Sequence, residues 1–332
     1  MLVRMQRRER VLGFTETIWR WFTVHKRTLP WRDLPVQDDA ERAYRILVSE
    51  VMLQQTQVPR VIVLYPRFLD QFPTLATLAR ASNADVIRAW RGMGYNSRAL
   101  RLRDACRIIM DRYGGIFPKT MEELGAIKGI GHYTAAAIRN FAFNLPTPCI
   151  DTNIRRILHR TFVGPERPDG TWERDDRLLL RIAADVLDAA LDGAPHHDAC
   201  NWHAALMDFG SLVQTKKNPK WDVCPLTAQG LMKANPRNFP KSEVPARTTG
   251  RIPKSEPGRT IAGRFVPNRI VRGRIVEVLR QTPSGLSLNA IGRRVASDWS
   301  LVAHHHWLEQ ILKKLEQDAL VARRTGKFTL AD

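Results

Sequence analysis

The sequence predicts an all-α body followed by a smaller module in which helices precede a hairpin. Three observations carry that expectation. Apolar side chains recur at helical intervals between about residues 13 and 234, and no convincing run of strand-like alternation interrupts them. Beyond a basic, Pro-rich stretch, helical spacing returns in three short segments and then gives way to a turn between two β-prone runs.

The helices of the body follow in order. Segment 14–21 places Phe14, Ile18 and Trp21 on one face, and 44–57 does the same with Tyr44, Leu47, Val48 and Val51. Segment 61–68 repeats the spacing in Val61, Leu64, Tyr65 and Phe68, and 84–90 carries it on Ile87 and Trp90. Segment 98–113 aligns Ala99, Leu102, Cys106 and Ile109, and 134–143 aligns Ala135, Ile138 and Ala142. Segments 153–160, 177–191 and 202–212 complete the set, the last through Trp202, Ala205, Leu206 and Phe209. Short Gly, Pro and Asn clusters separate them, so the helices should pack through their apolar faces.

Between residues 235 and 267 the composition changes to prolines, Arg and Lys with few large apolar side chains. Such a segment buries too little to offset its ordering entropy and reads as a basic linker. After it, 270–281, 288–296 and 303–318 read as helices, and 320–330 as two strands around Thr325-Gly326-Lys327. Three helices and a basic hairpin make a winged-helix-like module over 268–332. The body occupies 13–234.

Composition narrows the partners. The chain has 332 residues and a formal net charge of +19, from 52 Lys+Arg against 33 Asp+Glu. That excess favours a polyanion. No apolar run approaches a membrane span and no signal-peptide pattern follows the basic N-terminus, which points to the cytoplasm or a nucleoid and to nucleic acid. Cys106, Cys149, Cys200 and Cys224 are scattered, so they read as small hydrophobes, without a metal pair or disulfide framework.

Two carboxylates stand out. Glu50 lies in Ser49-Glu50-Val51-Met52-Leu53-Gln54-Gln55-Thr56-Gln57-Val58, among apolar neighbours that should raise its pKa and keep it a proton donor. Asp151 lies in Pro148-Cys149-Ile150-Asp151-Thr152-Asn153, about twenty residues beyond Ile127-Lys128-Gly129-Ile130-Gly131-His132-Tyr133-Thr134. In that turn Gly129 and Gly131 let backbone approach a partner closely. The amides of the helix that follows, with Lys128 beside them, suit a DNA phosphate.

Hairpin and downstream Asp together resemble the helix-hairpin-helix-GPD superfamily of DNA glycosylases. Leu29-Pro30-Trp31-Arg32, residues 49 to 58, Gly92-Met93-Gly94-Tyr95 and Ala205-Leu206-Met207-Asp208-Phe209-Gly210 resemble its adenine-mismatch, MutY-type branch across about 15 to 232. The resemblance implies a two-lobed helical domain that hydrolyses the bond from a mispaired base to its sugar in double-stranded DNA, as a monomer and within base excision repair. It implies that Glu50 protonates the purine, that Asp151 stabilises the oxocarbenium-like sugar, and that Tyr133 and Asn153 orient them. Trp31, Arg32, Val58 and Ala204 match the base pocket. Gln54, Gln55, Thr56 and Tyr95 match residues that enter DNA beside the opposite base, with Lys128, Gly129, Gly131 and Thr134 on the backbone. Related enzymes that nick the strand through a Schiff base carry Lys where this chain has Tyr133, so no strand cleavage is expected.

Three departures qualify the resemblance. Relatives hold an iron–sulfur cluster on four cysteines whose counterparts here are Gln214, Trp221, Cys224 and Gly230. One thiolate cannot hold it, so the protein should carry neither cluster nor other metal, with Trp221 packed where a ligand would point. Ala204 stands where adenine-removing relatives place Gln or Glu and thymine-mismatch relatives an apolar residue, which makes thymine or uracil opposite guanine the alternative to adenine opposite guanine or 8-oxoguanine. The winged-helix-like module replaces the β-rich domain with which adenine glycosylases check for 8-oxoguanine. A further alternative is a non-catalytic lesion-binding or regulatory protein. His196-His197 and His304-His305-His306 lack ligand spacing and read as solvated surface, Arg7-Arg8-Glu9-Arg10 as a solvated tail, and Trp90, Trp202 and Trp299 as packing.

Overall fold

The computed structural model describes residues 2–167, 171–172, 175–234 and 256–332. Among them the body is helical: α1 (Leu2–His25), α2 (Asp39–Leu53), α3 (Val58–Gln71), α4 (Leu75–Arg80), α5 (Asn83–Ala89), α6 (Ser97–Tyr113), α7 (Met121–Ala126), α8 (His132–Phe143), α9 (Thr152–Leu158), α10 (Asp176–Ala190), α11 (Ala199–Leu212) and α12 (Pro225–Ala228). A π-helical turn, His159–Val163, extends α9. None of the described helices is long and apolar enough to cross a membrane.

The chain divides into two compact units, and the division passes through α2 after Leu47. The first gathers the chain up to Leu47, Phe117–Ala126, and the chain from Ile130 through α12. Phe14, Ile18, Leu158, Val186, Trp202 and Phe209 fill its core, where α1, α9, α10 and α11 converge. Phe14 meets Trp202 edge-on at 6.0 Å and Trp21 meets Phe209 at 5.0 Å, the T-shaped geometry that aromatic quadrupoles favour.

The second unit gathers Val48–Ile116, Ile127–Gly129 and the C-terminal module. That module comprises the hairpin β1 (Gly258–Ile261) and β2 (Arg264–Pro267), then α13 (Asn268–Arg280), α14 (Leu288–Val295) and α15 (Leu301–Gln317), then β3 (Val321–Arg324) and β4 (Lys327–Leu330). It docks on α5 and α6 by directed hydrogen bonds. Arg280 donates to Ile87 O at 2.9 Å and Asn96 Oδ1 at 2.8 Å, and Asn83 Nδ2 donates to Ala319 O at 3.0 Å.

Several expectations need correction. Residues 235–255 of the expected linker lie outside the described residues, but 258–267 are the β1–β2 hairpin. Ala262 and Gly263 turn it with positive φ of 47° and 78°, a pairing whose twist suits adjacent strands. The same geometry at Thr325 and Gly326 closes β3–β4, so Lys327 begins the return strand and is not part of the turn. The helix expected through Gln57 stops at Leu53, because Pro59 opens α3 and Arg98 takes up the last carbonyls of α2. Arg7 and Arg10 belong to α1, pairing with Asp185 and with Leu231 O. His197 is stacked flat on Trp19 at 4.2 Å and His304 meets Arg259, so neither is simple solvated surface.

Candidate active site

Asp151 is the N-cap of α9. One of its oxygens accepts from the amides of Asn153 at 2.9 Å and Ile154 at 2.6 Å, while the other accepts from Asn153 Nδ2 at 3.0 Å. Desolvation pushes its pKa up from the usual carboxylate range, opposed by those hydrogen bonds and by the charge of Arg156. A polar chain keeps the Asn153 amide in that orientation. Arg156 Nη2 donates to Asn153 Oδ1 at 2.7 Å and to Gly210 O at 3.0 Å, which leaves the amide nitrogen facing Asp151. Gly210 itself permits the approach of α11 to α9: a Cβ there would sit 2.6 Å from Asn153 Cβ.

Tyr133 is the second residue of α8 and packs against the core of the first unit. Gly131 caps α8 without a side-chain bond, so the first-turn amides remain available to an anion. Lys128, Gly129 and Gly131 are exposed, and Ile127 and Ile130 anchor the turn by burial. Gly129 has φ of 102° and lies against Arg101 O, where a side chain would be strained and crowded. Thr134 differs from expectation. It is 5 % exposed, so its hydroxyl faces inward and only its amide belongs to the open end of the helix.

In the second unit, Glu50 is partly buried on the last turn of α2, beside buried Ser49 and Val51. Gln54 and Gln55 are exposed, Thr56 and Val58 less so, and Tyr95 is 55 % exposed on a second loop. Gln55 and Tyr95 both adopt positive φ, 55° and 45°, uncommon for residues with side chains. One residue joins the two loops. Arg98, 4 % exposed, donates to Val51 O at 2.9 Å, to Met52 O at 3.2 Å and to Gln54 O on one side. On the other it reaches Thr56 Oγ1 and Met93 O, both at 3.1 Å, and its guanidinium lies over the Tyr95 ring.

Trp31, Arg32 and Ala204 come together in the first unit, lining a pocket of about 290 Å³ with Ile46, Phe141 and Asn201. Arg32 lines it with its two terminal nitrogens already engaged. They bind both oxygens of Asp208 at 2.8 Å, while Arg27 Nε meets the same carboxylate at 2.7 Å. Asp208 is fully buried, and only removal of both arginines would leave its charge without compensation. Val58, the fourth expected pocket residue, belongs to the second unit.

The region that holds iron–sulfur in the resembled family has donors unsuited to it. Gln214 Nε2 donates to Cys224 Sγ at 3.3 Å and Gln214 Oε1 accepts from Arg160 at 3.0 Å. Arg160 pairs with Glu166 at 2.8 Å and lies over the Trp221 ring. An amide, an indole and one thiol, already engaged with one another, do not make a cluster site. No group of three or more metal-binding side chains occurs among the described residues. The knot leads back toward the carboxylate, because Arg156 Nε donates to Gln214 O.

Sequence reasoning missed Arg98, Arg156, Arg160 and Asn201. An Arg within a helical pattern reads as surface, and nothing local signals that its acceptors lie on another element. Asp208 and Gly210 lie within Ala205-Leu206-Met207-Asp208-Phe209-Gly210, where nothing local signals the part either plays.

Comparison with known proteins bears on this arrangement. Residues 48–176 match the family described as HhH-GPD superfamily base excision DNA repair protein. The adenine DNA glycosylase of Mycobacterium tuberculosis is 33% identical over 93% of this chain and 91% of its own length. The human adenine DNA glycosylase is 36% identical over 68% of this chain and 40% of that protein. Among solved structures, a thermostable thymine-DNA glycosylase superposes with TM-score 0.56 at 23% identity, covering 69% of this chain and 96% of that one, a likeness of fold.

Proposed function

The chain belongs to the HhH-GPD superfamily of base excision DNA repair proteins, and we propose that it hydrolyses the N-glycosidic bond of adenine mispaired with guanine or 8-oxoguanine in double-stranded DNA. The observation that carries this reading is the Asp151 carboxylate, held by two backbone amides and the Asn153 amide. A fixed anion of this kind stabilises the positive sugar as the base departs, with no reorganisation at the moment of reaction.

In this reading Glu50 donates a proton to the departing adenine and Asp151 steadies the sugar until water adds. Tyr133 offers no amine for a Schiff base, so the strand stays intact and an abasic site is the product. DNA is gripped through the open amides of α8 beside Lys128, while Gln54, Gln55, Thr56 and Tyr95 enter the duplex where the base leaves the stack. The protein acts as a monomer and without a metal, the Gln214–Arg160–Trp221 knot standing in for a cluster.

The apolar Ala204 favours a second reading, in which thymine or uracil opposite guanine is the substrate. Single-turnover excision separates the two, using duplexes with adenine opposite 8-oxoguanine or guanine, and thymine or uracil opposite guanine. Half of each reaction is treated with alkali to reveal abasic sites. The proposal expects adenine release and breaks only after alkali. Pyrimidine release alone would transfer the assignment, and breaks without alkali would overturn the intact-strand product.

A further inference from the structure

We propose that Asn201 is a specificity-determining residue, supplying from one turn earlier on α11 the polar contact to the base that Ala204 lacks. The inference rests on the adenine reading above and names the group that would read the base. Asn201 and Ala204 are three residues apart on one helix and line the same 290 Å³ pocket, so they share a face. Ala204 offers a methyl group. With no longer side chain at that position, the pocket extends to Asn201.

The orientation of Asn201 is set by the helix cap. Asp198 accepts from the Asn201 backbone amide at 2.7 Å and from Asn201 Nδ2 at 3.1 Å. With one N–H of its nitrogen turned to Asp198, the amide keeps Oδ1, an acceptor, and its second N–H for a ligand. Several other polar groups around the pocket are engaged elsewhere. Asp33 is paired with Lys26 at 2.7 Å, Asp39 with Lys119 at 2.9 Å, and Asn144 Oδ1 accepts from Cys200 N at 3.1 Å. Arg32 is bound to Asp208.

Trp31, Ile46, Phe141 and Ala204 supply apolar wall in a pocket that charged side chains also line, and with the Asn201 acceptor they fit a flat base that presents an exocyclic amine. Adenine does so through its 6-amino group. Thymine and uracil carry no exocyclic amine and would reach the same acceptor only through their ring N3–H.

The test compares single-turnover release of adenine with release of unsubstituted purine, which lacks the 6-amino group, each opposite 8-oxoguanine. The full chain is assayed beside Asn201→Leu and Asn201→Ser. Serine is too short to reach the base yet keeps a hydroxyl near Asp198, so it guards against a folding defect in the leucine variant. The proposal expects the adenine-to-purine rate ratio to fall about tenfold in both variants, the loss typical of one hydrogen bond to a buried group, with duplex affinity unchanged. An unchanged ratio overturns it, whether both rates fall together or neither moves. Adenine release by the native chain with that result would leave the proposed function standing. No adenine release from any duplex would defeat both.

Discussion

At the scale of single residues, the Asp151 carboxylate is held against its own desolvation. Burial favours the protonated form, whereas the proposed role in catalysis requires the ionised one, so lowering the pH should remove activity above the ordinary carboxylate range of about 4. The acid limb of the single-turnover rate locates that titration. Arg156→Gln removes a charge that lowers the Asp151 pKa and frees the Asn153 amide to rotate. It should move the acid limb to higher pH and slow excision at least about tenfold, the scale of a misplaced catalytic group. An unshifted limb would mean that Arg156 serves packing alone. Of these residues, Asp151 and Asn153 were legible from their motif, but Arg156 was not. Its importance comes from what Gly210 and Gln214 bring to it across the fold.

At the scale of elements, apolar spacing located the long helices, and interruptions set by distant partners escaped it. The break after Leu53 depends on Arg98, forty-odd residues on, which draws the end of α2 and the Tyr95 loop together. Arg98→Lys cannot satisfy that many carbonyls, and each buried acceptor left unpaired costs about 1–3 kcal/mol. The variant should melt at a lower temperature. It should also slow excision from paired duplex more than from a substrate whose target adenine is already unstacked in a bulge, because the loops carry the residues expected to assist flipping. Equal slowing on both substrates would count against that role. The β1–β2 hairpin escaped sequence reading for another reason: prolines and charge dominate its surroundings, and its turn has Ala262 at positive φ, where Gly or Asn is the usual signal.

At the scale of the whole molecule, the loop bearing Cys224 is braced by an arginine, an amide and an indole. Gln214→Leu would leave the buried Arg160 guanidinium short of an acceptor, so a lower melting temperature is expected, together with slower excision through Arg156. Protein purified without oxygen should contain no iron or acid-labile sulfide and show no visible charge-transfer band. Stoichiometric iron would refute a metal-free account. Absence of three of the four cysteines was legible because it is a matter of which residues are present. The contacts of the residues that stand there were not, because Arg160 and Glu166 lie far from Gln214 in the chain. The C-terminal module was legible as three helices and a hairpin, but its anchoring through Arg280 and Asn83 was not. Arg280→Ala should loosen that anchoring, and faster amide exchange at Ile87 and Asn96 would register it.

The central claim is that Asp151 takes part in bond cleavage beyond any role in holding DNA. The most direct measurement pairs single-turnover release of adenine opposite 8-oxoguanine with equilibrium affinity for the same duplex, for the native chain and for Asp151→Asn. The account predicts that the substitution slows release by at least about a hundredfold, the scale of lost electrostatic stabilisation, and leaves affinity nearly unchanged. Release at the native rate, or affinity lost in proportion to rate, would contradict it.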